Sequence, residues 1–183
     1  MENKKIETPL DNATIEGLTA GQKVFLSGYV YTARDAAHKR FADALRAGKK
    51  LPFDLRDQII YYCGPSPAPP GRVIGACGPT TSSRMDLYTP QLLMIGLKGM
   101  IGKGKRSPAV REAMKQYKAV YFGATGGAGA LLSGTVVSSE IIAYEDLGPE
   151  AVVRLQVRDI PLFVINDIYG SDLYETGMES YRK

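Results

Sequence analysis

The chain has 183 residues, 44% of them hydrophobic and 23% charged, with a net charge of +4, two cysteines and one histidine. That length suits one domain, residues 1–183, whose core needs no disulfides; no apolar run reaches the ~20 residues that span a bilayer, and Cys63, Cys77 and His38 are too few to hold a zinc ion or an iron–sulfur cluster. Lysine and arginine are interleaved with acids, which argues against nucleic acid and leaves small anions as the expected ligands, while a polar start without a signal-peptide core points to the cytoplasm, where the cysteines stay reduced.

Residues 1–20 read as a polar, loosely held lead-in, and 171–183 as a tail of the same kind. The run KVFLSGYVYT at 23–32 is β-branched and aromatic and predicts a strand, which delivers Arg34 to a strand-to-helix junction. Ala36, Ala37, Phe41, Ala44 and Leu45 then recur at helical spacing, predicting a helix over 35–46 that stops near Gly48. A short strand is expected over 58–63, then a proline-rich extended loop over 64–71, then another strand over 72–76. Gly78-Pro79 breaks the chain, and Thr80 to Ser83 supply N-cap candidates for a helical turn starting near Arg84. Thr89 and Pro90 open a second helical piece to about Leu97. An apolar segment at 99–102 ends at Lys103, Pro108 opens a helix to about Lys118, and 119–124 is strand-like. A glycine turn over 126–130 and strands at 140–144, 151–157 and 162–165 follow. Alternating strands and helices succeeded by clustered strands imply a mixed α/β domain.

Three stretches could bind an anion. Thr80 to Arg84 would put hydroxyls and a guanidinium beside the unpaired N–H groups of a helix start, a pattern that equally describes a capped core helix. Gly102-Lys103-Gly104-Lys105-Arg106-Ser107 offers close approach and point charge, or is a solvated basic turn; it is not a P-loop, because Lys105 is followed by arginine. The glycines from 123 to 129 lack the downstream acid of a dinucleotide site, so a packing turn or a backbone approach for substrate is the preferred reading. His38, four residues beyond Arg34, is either a hydrogen-bonded structural residue or a functional one, and Cys63 and Cys77 read as small buried apolar groups.

Ala33-Arg34-Asp35-Ala36-Ala37-His38, Gly64-Pro65, Gly78-Pro79-Thr80-Thr81-Ser82-Ser83-Arg84-Met85-Asp86 and Lys103-Gly104-Lys105-Arg106-Ser107, in this order, resemble the β subunit of class I fumarases and L-tartrate dehydratases, and the similarity continues through PLFVIND at 161–167. The resemblance implies the swivelling β/β/α fold of three layers. It also implies an α subunit holding a 4Fe-4S cluster through three cysteines, with one iron open to substrate, so that this chain binds no metal itself. Arg34, Arg84 and Lys103 then match the binders of substrate carboxylates, and Thr80 the base that removes the C3 proton. Asp35, His38, Thr81 and Gly127 are supporting positions. Lys105 stands where the family more often has asparagine. The implied activity is reversible hydration of fumarate to L-malate, with tartrate dehydration as the alternative and a non-catalytic dicarboxylate-binding module as a remoter one.

Overall fold

The computed structural model describes residues 4–125 and 127–179. Gly126 of the glycine turn, and residues 1–3 and 180–183 of the two ends, lie outside the described residues. Strands β1 (Lys4–Glu7), β2 (Lys23–Thr32), β3 (Ile59–Tyr61), β4 (Gly99–Gly102) and β5 (Val120–Gly123) pair in that order, all parallel. Strands β6 (Val136–Ala143) and β7 (Val152–Asn166) pair antiparallel with each other. The fifteen-residue β7 also pairs antiparallel with β2, from Lys23↔Phe163 to Thr32↔Val153, and its end pairs with β5 at Phe122↔Val164. The pairings therefore close into a ring, β2-β3-β4-β5-β7 and back to β2, with β1 and β6 attached outside it.

Alternation along the strands then creates two cores. In β3, Ile59 and Tyr61 point into the ring with Val24, Leu26, Val30, Leu155 and Leu162. Ile60 points the other way, as does Tyr62 just beyond the strand, onto the helices. These are α2 (Asp35–Arg46), α3 (Thr89–Met94) and α4 (Pro108–Tyr117), which contribute Phe41, Leu92 and Met114. Two sheet layers and one helix layer result, the expected β/β/α arrangement. Each fully buried large apolar side chain contributes ~1.5–3 kcal/mol by leaving water, and the parallel strands are held by cores on both faces.

Several elements depart from the sequence expectations. The lead-in is not loose from residue 4 onward: β1 extends the sheet, Asp11 caps α1 (Asn12–Glu16) by accepting Thr14 N–H at 2.7 Å, and Leu10, Ile15 and Leu18 are fully buried. Three buried residues spaced by five and three positions are too few to reveal a periodicity. Beyond the short α5 (Gly129–Ser133) and the last strands the tail is likewise anchored, because α6 (Leu173–Glu179) begins beside the buried Asp172, which accepts Tyr174 N–H at 2.8 Å and lies 3.5 Å from Arg111. Residues 72–76 form no strand; they fold back on the proline loop, with Ser66 N–H donating to Ala76 O at 3.0 Å and Gly75 N–H to Ser66 O at 3.2 Å. The two last predicted strands are one, β7. Its middle residue Asp159 takes φ +50° and donates its N–H to Ser27 Oγ at 2.9 Å, so a local kink passes without ending the strand.

Cys63 and Cys77 are free, fully buried, and place their sulfurs 3.2 Å apart. The Cys77 hydrogen bond, together with burial, pushes the Cys63 thiol well above its ordinary value. Iodoacetamide is therefore expected to leave both cysteines unmodified in the folded protein and to alkylate both in denaturant, read by mass spectrometry; prompt labelling of the native protein would contradict this packing.

Candidate functional site

Because β2, β3, β4 and β5 are parallel, their C-terminal ends share one edge of the sheet, the position where open parallel sheets commonly bind ligands. Arg34 follows β2, Gly64 follows β3, Lys103 follows β4 and Gly127 lies beyond β5. The long connection from β3 to β4 returns to this edge. Thr80 N–H donates to Tyr62 O at 2.7 Å, Lys103 N–H donates to Thr80 O at 3.3 Å, and Ser82 N–H donates to Lys103 O at 2.9 Å. Thr80, Thr81 and Lys103 are thus fixed to one another by main-chain bonds. Residues Cys77 and Gly78, just before them, rest on the glycine turn, with Cys77 N–H donating to Gly129 O at 3.0 Å.

The expected capped helix at Thr80 to Arg84 takes another form. Ser82–Met85 is a single 3-10 turn, Thr81 occupies its cap position without a side-chain bond, and Ser82 is buried with its hydroxyl 2.8 Å from that of Tyr121. Four residues are too short for a helix-end anion site, so charge binding rests on the guanidinium. The second piece begins at Thr89 and ends at Met94, short of Leu97; Thr89 is inside the helix and gives its hydroxyl to Met85 O at 2.9 Å instead of capping.

Arg34 and Arg84 meet at Asp35. Arg84 Nε donates to Asp35 Oδ1 at 2.9 Å, and Arg84 Nη2 lies 2.9 Å from Asp35 Oδ2. Arg34 Nη2 lies 3.9 Å from Asp35 Oδ2 and 3.4 Å from Glu150 Oε1. Glu150 also accepts Ala36 N–H at 2.9 Å, closing the first turn of α2. Arg34 packs closely over Gly64: a Cβ there would sit 2.9 Å from Arg34 Nη1 and 3.0 Å from Pro149 O, so a larger residue would push on the Arg34 guanidinium. The Arg84 side chain is 51% exposed. Ion pairs this open contribute ~0–1 kcal/mol to stability, so the cluster adds little to holding the fold.

The Lys103 loop is held from below. Tyr121 OH donates to Gly104 O at 2.9 Å, and Gly104 N–H donates to Tyr174 OH of α6 at 3.2 Å. A Cβ at Gly102 would fall 2.0 Å from Ser82 Oγ, so the strand end and the 3-10 turn touch through a glycine. Lys103 is exposed and borders a cavity of about 420 Å³ with Thr125, Phe163, Ile165 and Tyr174. Arg34, Thr80 and Arg84 are not in its wall, so the four candidate residues line an open edge, not one enclosed pocket.

His38 belongs to the core. It is fully buried, with Nδ1 2.8 Å from Arg34 O, so Nδ1 carries the proton and donates to that carbonyl. Burial, helped by the charge of Arg106 and partly offset by the Arg34 hydrogen bond and by Asp35, lowers its pKa to about 4. It is a neutral peg under Arg34. Gly127 is exposed at φ +81°. The residues that sequence reading missed are Glu150, Asp86, Arg106, Tyr121 and Tyr174; Asp86 and Arg106 stood inside quoted motifs, and their pairing at 2.8 Å spans twenty residues.

Residues 2–177 match the family model "Fumarase C-terminus". The chain belongs to this family. It is 36% identical over 172 residues to a putative L(+)-tartrate dehydratase subunit beta of Methanocaldococcus jannaschii, covering 91% of this chain and 88% of that one. It is 37% identical over 155 residues to the aerobic class I fumarate hydratase of Escherichia coli, covering 84% of this chain and 28% of that protein. Fumarate hydratase 2 of Leishmania major is 34% identical over 173 residues, covering 92% and 30%. The chain thus spans about a third or less of the length of these fumarate hydratases.

Proposed function

We propose that this chain is the β subunit of a hydro-lyase that reversibly hydrates fumarate to L-malate, acting in the cytoplasm with an α subunit that carries a 4Fe-4S cluster. The observation that carries the reading is the pair of guanidinium groups joined through Asp35, on the same sheet edge as the backbone ladder that fixes Thr80 beside Lys103. This chain's own donors do not fit a cluster. The two thiols are buried against each other, and among the described residues no group of three or more His, Cys, Asp or Glu side chains could hold a metal ion. In this reading the cluster belongs to the partner. No described helix is long and apolar enough to cross a membrane.

In this reading Arg34 and Arg84 bind one carboxylate of the diacid, and Lys103 neutralises the charge that develops on the other when C3 loses its proton. Thr80 acts at C3. In the hydration direction the neutral hydroxyl is already the proton donor needed, since the carbanion-like species it meets is strongly basic. In the reverse direction the alkoxide left by that donation takes the C3 proton and returns to the neutral hydroxyl.

The test is anaerobic assembly of the chain with its cluster-bearing partner, followed by assay on fumarate, L-malate and L(+)-tartrate. Fumarate hydration is expected, with Arg84→Ala lowering kcat/KM about 30- to 100-fold and Thr80→Ala lowering kcat by about 100-fold or more. An assembly with intact cluster that converts none of the three ends the proposal. A relative of matching length is named a putative tartrate dehydratase subunit, which makes tartrate the second reading; turnover of tartrate without fumarate would select it.

A further inference from the structure

We infer that Asp35 is a positioning residue that sets which edge of Arg84 faces the substrate; this rests on the reading of Arg84 as a carboxylate binder. A guanidinium has five N–H groups in a plane and can present two forked edges to carboxylates, one formed by Nε and a terminal nitrogen and one by the two terminal nitrogens. Asp35 engages the first edge of Arg84, with Nε–H donating to Oδ1 at 2.9 Å and Nη2 paired by charge with Oδ2 at 2.9 Å, outside hydrogen-bond geometry. The second edge remains for an incoming carboxylate. Asp35 thus orients the binder and does not compete with substrate for the same pair of donors.

Two features make Asp35 able to hold that angle. It is the first residue of α2, where the helix start favours its negative charge, and the adjoining turn is fastened by Glu150 to Ala36 N–H and by His38 to Arg34 O. Its Oδ2 also lies 3.9 Å from Arg34 Nη2, so one carboxylate fixes the separation of both arginines. Arg84, by contrast, stands on a half-exposed side chain from a single 3-10 turn, and without Asp35 it would sample many rotamers.

The experiment measures KM, kcat and melting temperature for the assembled complex carrying Asp35→Asn, Asp35→Glu, Arg84→Ala, or Asp35→Asn with Arg84→Ala. Asp35→Asn is expected to raise KM about ten-fold with kcat within about two-fold and melting within ~3 °C of wild type. Asp35→Glu should recover part of the affinity, and the double variant should be no worse than Arg84→Ala alone. If Arg84→Ala raises KM but neither Asp35 variant does, Asp35 does not position Arg84. A lower melting temperature or less active enzyme at unchanged KM would make Asp35 purely structural and overturn the inference. If Arg84→Ala itself leaves KM unchanged, the assignment of Arg84 as a substrate binder falls, and this inference falls with it. Should Asp35→Asn fail to assemble, Asp35→Glu decides alone, since wild-type KM in that variant contradicts a role for the carboxylate's position.

Discussion

Arg106→Leu is expected to lower the stability of the chain by about 3–5 kcal/mol, a large share of the ~5–15 kcal/mol typical of a domain. The Arg106 side chain is wholly buried and every face of it is used. Nε donates to Asp86 Oδ1 at 2.8 Å, Nη2 to Thr89 Oγ1 at 2.8 Å and Nη1 to Tyr62 OH at 3.1 Å, while the guanidinium lies 5.2 Å from the ring centres of Tyr62 and Tyr121. Burial works against the charge, yet these contacts outweigh it and hold the group above its ordinary pKa. Leucine would fill part of the space and leave the Asp86 carboxylate, 13% exposed, without its counter-charge. Asp86 also accepts Ser107 N–H at 2.7 Å, tying the 3-10 turn that carries Arg84 to the start of α4. Arg106→Lys keeps the charge but loses the fork, and should cost about 1–3 kcal/mol. Urea midpoints of the two variants check the ranking, and a leucine variant with the wild-type midpoint would show that the buried pair holds nothing.

That arginine illustrates what could be read from the chain before its structure. Local order was legible: KVFLSGYVYT forms β2 over Lys23–Thr32, and the spacing of Ala37, Phe41 and Leu45 forms α2 over Asp35–Arg46. Alternation and helical spacing involve neighbours, so short windows contain them. The resemblance placed Arg34, Thr80, Arg84 and Lys103 in one site, whereas local chemistry alone left each stretch with a bland alternative. Partnerships across the fold were not legible. Glu150 reaches Arg34 and Ala36 from more than 110 positions away, and β7 closes the ring through pairings with both β2 and β5 that no window shows. Arg106 was hidden for another reason: in sequence it belongs to a basic turn, and only burial separates it from the exposed Lys103 and Lys105.

His38 leads to the second large effect, a loss of stability in mild acid. In the unfolded chain it takes up a proton near its ordinary pKa of 6.5; in the folded chain burial holds the pKa at about 4. Above 6.5 both states are neutral and the full stability is present. Between 6.5 and 4 the unfolded state binds the proton and the folded state does not, so stability declines as pH falls, by about 3 kcal/mol in total from this group. A folded protonated form is disfavoured because Nε2 is buried and, among the described residues, has no hydrogen-bond partner, while the rings of Phe41, Tyr62 and Tyr88 surround the imidazole. From about pH 7.5 to pH 5, His38 alone should account for ~2 kcal/mol. Urea midpoints at both pH values for wild type and His38→Gln separate this contribution from that of the carboxylates, which is common to both. The variant should be less stable at neutral pH, having lost the fitted ring, yet fall less on acidification; equal falls would place the acid sensitivity elsewhere.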